Sequence, residues 1–238
     1  MLKSSRRVPF KTEKLRRAPR RAPALDGKLK PSQQRAHSTY DAILEAAGEL
    51  LAEVGVERLS TNLVCKRAGL TPPALYRYFP NKYALLKELG ARLMAAQDKV
   101  VFAWQDGARG VDITTVDASA EYRRQVQQKV NTVTKTFPGG GWVMRALRAV
   151  PTLSAVRIQS REAVAERDFE ALAKLYPKAD RRVLRVAATL SVEVMYASTE
   201  LVMDQPELDA DLVTQEIAYM TALYLESFSR PRRKARVQ

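Results

Sequence analysis

From Ser38 onward, apolar residues recur every three or four positions, and no run longer than four residues alternates in the manner of a strand. Ile43, Ala46, Ala47, Leu50, Leu51 and Val54 form the apolar side of a first helix, with Ser38 or Thr39 as its cap and Gly55 at its end. Ser60 caps a short second helix from Thr61 to Ala68, which turns Val64 and Ala68 inward and closes at Gly69. Thr71 caps a third that opens on Pro72, where a missing N–H costs nothing, and runs to Tyr78 before Pro80. Asn81 caps a long fourth helix striped by Leu85, Leu89, Leu93, Ala96 and Val100. A loop over 106–117 follows, then helices over about 118–135, 142–150, 151–175, 181–203 and 209–228, broken by Phe137-Pro138-Gly139, Pro177 and Asp204-Gln205-Pro206. The expected fold is all-α, with about nine helices.

The pattern carries chemistry between Gly55 and Lys82. Two short capped helices meet at Gly69-Leu70-Thr71, the length and glycine placement of a helix-turn-helix, whose second helix enters the major groove by its N-terminus. Thr71, Pro72, Pro73 and Ala74 occupy that N-terminus. They are small enough for close backbone approach, and their apolar groups suit thymine methyls. Arg77 is one turn on, within reach of a base or phosphate, and Tyr76 and Tyr78 offer hydroxyls to phosphates. Lys82, in the first turn of the fourth helix, adds a positive charge beside N–H groups that favour anions, and Ser60 and Thr61 open the second helix in the same manner. Leu75, Tyr78 and Phe79 also fit a core, as aromatic residues at helical spacing usually do.

Gly55, Ser60, Val64, Ala68-Gly69, Leu75-Tyr76, Tyr78-Phe79 and Lys82, after an alanine-rich first helix, closely resemble the DNA-binding domain of the TetR/AcrR family over about Thr39 to Leu86. The resemblance implies that Thr71, Pro72, Pro73, Ala74, Tyr76 and Arg77 face DNA and that Ser60, Thr61 and Lys82 hold phosphates. Cys65, Pro73 and Tyr83 depart from the usual alanine, glycine and acid; the proline pair changes base readout, so no operator sequence carries over.

The last two helices are apolar on two sides. Val183, Ala187, Leu190, Val194, Ala197 and Leu201 form one stripe of the first, Leu184, Ala188, Met195 and Val202 another. Val213, Ile217, Met220, Tyr224 and Phe228 align on the second. A helix with two apolar faces serves its own domain and something else, here a homodimer through a four-helix interface, as the resemblance also implies. An intramolecular three-layer core is the competing reading. The resemblance further implies an effector cavity among the middle helices, worked by a shift of the fourth. Phe102, Trp104, Trp142, Met144, Met195, Tyr196 and Thr199 are candidate lining residues, with Glu200 beside them, for a small apolar or amphipathic molecule.

Charge adds a second feature. Residues 1–36 hold twelve Lys/Arg against Glu13 and Asp26, and 230–238 hold five and no acid; subtracting these from the total of +14 leaves −1 for 37–229. The basicity thus lies in two tails, suited to a polyanion or simply solvated. The repeat Arg16-Arg17-Ala18-Pro19, Arg20-Arg21-Ala22-Pro23 suits a narrow minor groove, although arginine tails also bind phosphates without sequence preference. The expected organisation is a disordered basic arm over 1–36, a helix-turn-helix domain over 37–82, a helical regulatory and dimerisation domain over 83–229, and a basic tail over 230–238.

One cysteine, Cys65, and one histidine, His37, leave no internal disulfide, no cysteine or histidine metal cluster and no nucleophile–base pair, and no phosphate-binding glycine motif follows a strand. No enzyme, cofactor or metal is expected. No signal peptide and no run of roughly 18 apolar residues stands out, so a cytoplasmic, nucleoid-associated protein without a membrane contact is expected. The function read from these residues is a ligand-responsive, sequence-specific transcription regulator, most simply a dimeric repressor on a palindromic operator. The competing reading is a non-inducible, chromosome-associated protein using the same helix-turn-helix.

Overall fold

The computed structural model describes residues 23–28, 34–107 and 113–229, and among these the regular structure is helical throughout. The helices are α1 (Gln34–Arg58), α2 (Thr61–Ala68), α3 (Pro72–Tyr76), α4 (Lys82–Gly107), α5 (Val116–Thr136), α6 (Gly140–Ala149), α7 (Ser154–Leu175), α8 (Arg181–Asp204) and α9 (Ala210–Glu226), with a 3₁₀ turn at Pro151–Leu153 before α7.

The helix ends follow local chemistry. Gly55 breaks α1 at φ 74°, ψ 174°. Ser60 Oγ accepts from Leu63 N, and Gly69 takes the left-handed conformation that ends α2 at φ 64°. Asn81 Oδ1 accepts from Tyr83 N and Ala84 N at the start of α4. Two boundaries differ from expectation: α1 begins at Gln34, ahead of Ser38, and α3 stops at Tyr76, two residues short, as the chain tightens toward Pro80.

α1, α2 and α3 enclose Ile43, Ala47, Leu51, Leu59, Val64, Leu75 and Phe79, and Leu85, Leu86 and Leu89 of α4 close this head from below. The same core continues into the body through Leu93, Met144, Leu147 and Leu153. α5 lies along α9 and α7 along α8, with a second core of Phe169, Leu172, Leu184, Ala187, Ala188 and Leu225 at the far end. Buried hydroxyls are satisfied within their helices: Thr134, Ser191, Thr214 and Thr221 each donate to the carbonyl four residues back.

Glycines permit the closest approach between head and body. A side chain on Gly48 of α1 would meet the Pro138 carbonyl oxygen at 2.6 Å, and one on Gly139 would meet the Gly48 carbonyl oxygen at 2.3 Å. Gly90 of α4 faces Leu147 of α6 in the same way.

Residues 23–28 correct the expectation of an arm disordered through residue 36. Leu25 packs on the head core, the Ala24 carbonyl accepts from Asn81 Nδ2 at 2.8 Å, Lys28 N donates to Tyr78 O at 2.8 Å, and Asp26 pairs with Lys87 at 2.6 Å. The paired arginines at 16–17 and 20–21 and the tail at 230–238 lie outside the described residues. A second correction concerns α8, which is long and apolar enough by length and composition to cross a membrane, although no such stretch stood out in the sequence. Its hydropathy sums two faces, one of which packs on α7, and it carries a buried Glu200 paired with Arg148 and a Glu193 held by two arginines. These are the marks of a bundle helix.

Candidate nucleic-acid interface and effector cavity

α2 and α3 meet across the tight turn at Gly69, where a side chain would meet nothing within 4 Å but would have to adopt positive φ. The outer end of α3 presents Thr71, Pro72, Pro73, Tyr76 and Arg77 exposed, with Ala74 half-buried, while Leu75 is buried beneath them. Thr71 holds the cap position by its backbone, and its side chain makes no cap hydrogen bond. Thr61 Oγ1 and Tyr76 OH lie 3.0 Å apart, so a hydrogen bond ties the first turn of α2 to the last residue of α3. Arg67 bridges Glu49 and Glu53 of α1 at 3.1 and 2.6 Å, fixing α2 against α1 and consuming its charge internally. The result is a small and mostly uncharged tip, with Arg77 exposed on its rim.

A second feature lies in the body. A cavity of about 60 Å³ sits between α4, α5, α7 and α8. Val101, Val126, Val130, Val164, Val192 and Met195 supply its apolar wall. Its polar groups come from every surrounding helix: Gln97, Asp98 and Gln105 of α4, Tyr122, Arg123 and Gln127 of α5, Asp168 of α7, and Tyr196 and Thr199 of α8. Gln127 Nε2 donates to Thr199 Oγ1 at 2.7 Å, and Gln105 Nε2 to Asp168 at 2.7 Å. Ser160 Oγ donates to Asp98 at 2.6 Å and lies 2.8 Å from Tyr196 OH. Burial raises both the Asp98 and Asp168 carboxyls above the ordinary range. It also pushes the Tyr196 and Tyr122 hydroxyls up to about 12, so both phenols stay protonated and act as donors.

Residues 43–89 match the family model described as bacterial regulatory proteins, tetR family. The chain is 44% identical over 55 residues to the tetracycline repressor protein class A from transposon 1721 of Escherichia coli, and 43% over 54 residues to the class C repressor of the same organism. Over residues 43–89 the chain is similar to the DNA-binding region of the TetR family. The stretch matched to the class A repressor is 23% of this chain and 26% of that repressor, so the chain spans about a quarter of the length of the curated relatives it matches. Solved structures carry the TetR fold over a much longer span. A TetR-family regulator from Streptomyces coelicolor superposes with TM-score 0.58 at 16% identity, covering 82% of this chain and 84% of that one. The fatty acid degradation regulator FadR from Bacillus halodurans gives 0.55 at 19%, covering 81% and 97%. The complex of SmeT with triclosan gives 0.57 at 19%, covering 79% and 91%.

Within this fold, the residues singled out from sequence separate into groups. Ser60, Thr61, Thr71, Pro72, Pro73, Ala74, Tyr76 and Arg77 gather on the outer end of the helix-turn-helix. Tyr78 does not join them: it is 6% exposed and meets Tyr40 edge-on at 5.9 Å, because α3 ends before it and turns its ring inward. Lys82 is also differently engaged, its Nζ donating to the Val56 and Glu57 carbonyls at 3.0 and 3.2 Å, where the broken end of α1 leaves acceptors unmet.

In the body, Met195, Tyr196 and Thr199 line the cavity as expected, but four candidates do not. Phe102 packs under the Arg167 guanidinium and Trp104 under the Lys129 ammonium. Trp142 covers Gly55 at the joint between head and body, and Met144 is buried behind Gln97, whose amide it accepts at 3.9 Å. Glu200 is committed to Arg148. Sequence reasoning followed the large apolar residues and missed Gln97, Asp98, Gln105, Tyr122, Arg123, Gln127 and Asp168. A signal existed on α4: Gln97 continues the Leu85, Leu89, Leu93 stripe, and Asp98 follows Met94 by one turn, so polar groups stand where the pattern calls for apolar ones.

Proposed function

We propose that the protein is a ligand-responsive, sequence-specific DNA-binding transcription regulator, a repressor that acts as a dimer on a palindromic operator. The observation that carries this reading is the exposed tip of α3, made of Thr71, Pro72, Pro73 and Arg77 and held to α2 by the Thr61–Tyr76 hydrogen bond. Small residues let the backbone descend into the major groove, and the rigid link holds the tip in place before DNA arrives. Ser60 and Thr61 at the start of α2 approach one phosphate strand. Lys82 serves first to join α4 to α1, and its ammonium meets phosphate only by leaving those carbonyls.

The dimer reading is supported by an apolar strip that the protein leaves in water. Val183, Val186, Leu190 and Leu201 of α8 and Leu212, Tyr219, Met220 and Leu223 of α9 are all exposed, Val186 and Met220 by 56% and 55%. A strip this continuous along two adjacent helices marks an association surface. Two copies joined there carry two recognition helices, and a spacing of about 34–36 Å matches successive major grooves. The working division is a head over 37–82 and a regulatory body over 83–229, in a cytoplasmic protein. A ligand in the cavity acts by preferring one head spacing over another, and its effect is limited to its differential affinity for the two states.

The test is selection of duplex DNA from a random pool at two salt concentrations, repeated with Arg77→Ala and with residues 1–22 removed. Those residues hold nine Lys/Arg and one acid. A recovered palindrome that resists competitor DNA, weakened by Arg77→Ala, with a flatter salt dependence after truncation, is the expected result. No motif, with binding that collapses at higher salt, refutes sequence-specific recognition. A palindrome whose affinity no small molecule alters supports the non-inducible alternative.

A further inference from the structure

Three oxygens of the cavity-lining side chains are buried without a partner against one such donor, Arg123 Nε, and this excess of acceptors can be located. Thr134 Oγ1 donates to the Val130 carbonyl, so its remaining role toward Gln97 is acceptor, which fixes the Gln97 amide with Nε2 toward Thr134 and Oε1 elsewhere. Gln127 Nε2 donates to the Met195 carbonyl, which fixes its amide in the same way. The oxygens Gln97 Oε1, Gln127 Oε1 and Gln105 Oε1 are all buried without a hydrogen-bond partner. A buried acceptor that meets no donor is unfavourable, and a ligand N–H would relieve it.

The charges are unequal as well. Asp168 has the Gln105 amide and the Arg123 charge beside it. Asp98 receives the Ser160 hydroxyl, and among the described residues no lysine or arginine forms an ion pair with it. Arg157 and Arg161 of α7 are both spent on Glu193 of α8 at 2.8 and 2.5 Å. Tyr196 adds a ring whose face is already covered by Arg157. A half-buried carboxylate without a cation, unmet carbonyl oxygens and valine walls together describe the complement of an amphipathic cation.

We propose that this cavity takes a small organic cation, a primary or secondary ammonium on an apolar body, with its charge at Asp98 and its body along Val101, Val126, Val130, Val164 and Val192. The proposal rests on the reading of the cavity as the effector site and adds the class of effector. An ammonium brings N–H donors and no acceptor, which relieves the shortage, whereas at Asp98, away from the Arg123 charge beside Asp168, a carboxylate would add acceptors and charge of the wrong sign. Asp98 also lies on α4, about 24 Å along one helix from Lys82 at the edge of the head, so occupancy bears directly on the helix that joins cavity to DNA.

The test compares n-hexylammonium, 1-hexanol and hexanoate, equal in chain length and different in head group, by calorimetry on the full chain at pH 7.5. The same preparation is assayed separately for duplex DNA binding. Hexylammonium should bind tighter than hexanol by roughly tenfold or more, with hexanoate weakest. Asp98→Asn, which keeps an acceptor for Ser160, should bring the ammonium-to-alcohol ratio toward one. Hexanol or hexanoate binding as well as the ammonium, a ratio unmoved by Asp98→Asn, or no binding by any of the three overturns the proposal. Selectivity in the unaltered protein decides the matter even if the variant fails to fold. Retained operator binding in any of these cases leaves the regulator reading standing, and its loss would refute that reading independently.

Discussion

Two glycines with nearly the same backbone and opposite surroundings allow the joint between head and body to be weighed. Gly69 and Gly139 have φ of 64° and 67°, so alanine at either one suffers the same left-handed penalty. That penalty is about 1–2 kcal/mol, reduced by about 0.4–1 kcal/mol because alanine also restricts the unfolded chain. At Gly69 nothing lies within 4 Å of the new Cβ, so Gly69→Ala should cost only this balance, about 1 kcal/mol. At Gly139 the Cβ would fall 2.3 Å from the Gly48 carbonyl oxygen, against an ordinary contact of 3.4 Å or more. That oxygen belongs to helix backbone, so α1 and the turn before α6 must separate by about an ångström. Overpacking of this kind adds about 1–3 kcal/mol, giving about 2–4 kcal/mol for Gly139→Ala.

Urea denaturation followed by circular dichroism, at one protein concentration so that any dimer contribution is common to both, measures the difference. With an unchanged slope, the midpoint for Gly139→Ala should fall well below that for Gly69→Ala, and melting should separate by about 2–4 °C for each kcal/mol. Equal losses at the two positions would refute the argument, since they would mean that the approach of Gly48 to Gly139 is loose enough to absorb a methyl group.

Three further outcomes are expected. Asp98 has a folded-state carboxyl raised by burial, so the folded protein holds more protons than the unfolded one between the ordinary value of 3.8 and the raised value, and stability declines as pH rises through that window. Asp98→Asn removes the penalty and should raise the melting temperature at pH 8, with the gain vanishing toward pH 3.5; a gain independent of pH would contradict it. Thr61→Ala and Tyr76→Phe remove the same hydrogen bond, worth about 0.5–1.5 kcal/mol, so their effects on DNA affinity should be less than additive by about that amount in a double-mutant cycle read by fluorescence anisotropy. Val186→Glu with Met220→Glu should yield a folded monomer by sedimentation and weaken operator binding on the order of a hundredfold, and a dimer that persists would place the interface elsewhere.

How much of this was legible in the sequence depended on whether a residue's role is local. The head was legible because each signal is read within a few positions: Ser60 caps, Gly69 turns left-handed, Pro72 starts a helix, and the cap of α4 at Asn81 needs only its own side chain. The two apolar sides of α8 were legible for the same reason, and Val183, Leu190 and Leu201 do face outward while Leu184 and Ala188 face in. Ala187 joined the inner side and Val186 the outer, a shift of one residue that spacing does not resolve. The cavity was not legible, since Trp104 and Trp142 satisfy their large surfaces against Lys129 and Arg145 nearby, while the wall is assembled from residues on four helices up to about a hundred positions apart. Tyr78 and Lys82 were misjudged for a tertiary reason too: the end of α3 and the break at Gly55 decide where a ring and an ammonium go.

The engagement of Lys82 gives the head a physical link to the cavity. Its ammonium joins the start of α4 to the frayed end of α1, and Asn81 beside it caps α4 while holding the Ala24 carbonyl of the arm segment. Lower down, Gly90 lets α4 lie against Leu147 with no side chain between, and Gly48 lets α1 lie against the turn that leads into the same α6. α1 and α4 are therefore both held to α6, and to each other by Lys82, so α4 cannot slide without α1 responding. α1 in turn holds α2 through the two carboxylates that grip Arg67, and α2 holds α3 through Thr61 and Tyr76. On the proposed reading, a displacement of α4 at Asp98 would reach the tip of α3 through close contacts, ion pairs and hydrogen bonds at every step. Close packing transmits such a displacement where a loosely packed joint would absorb it.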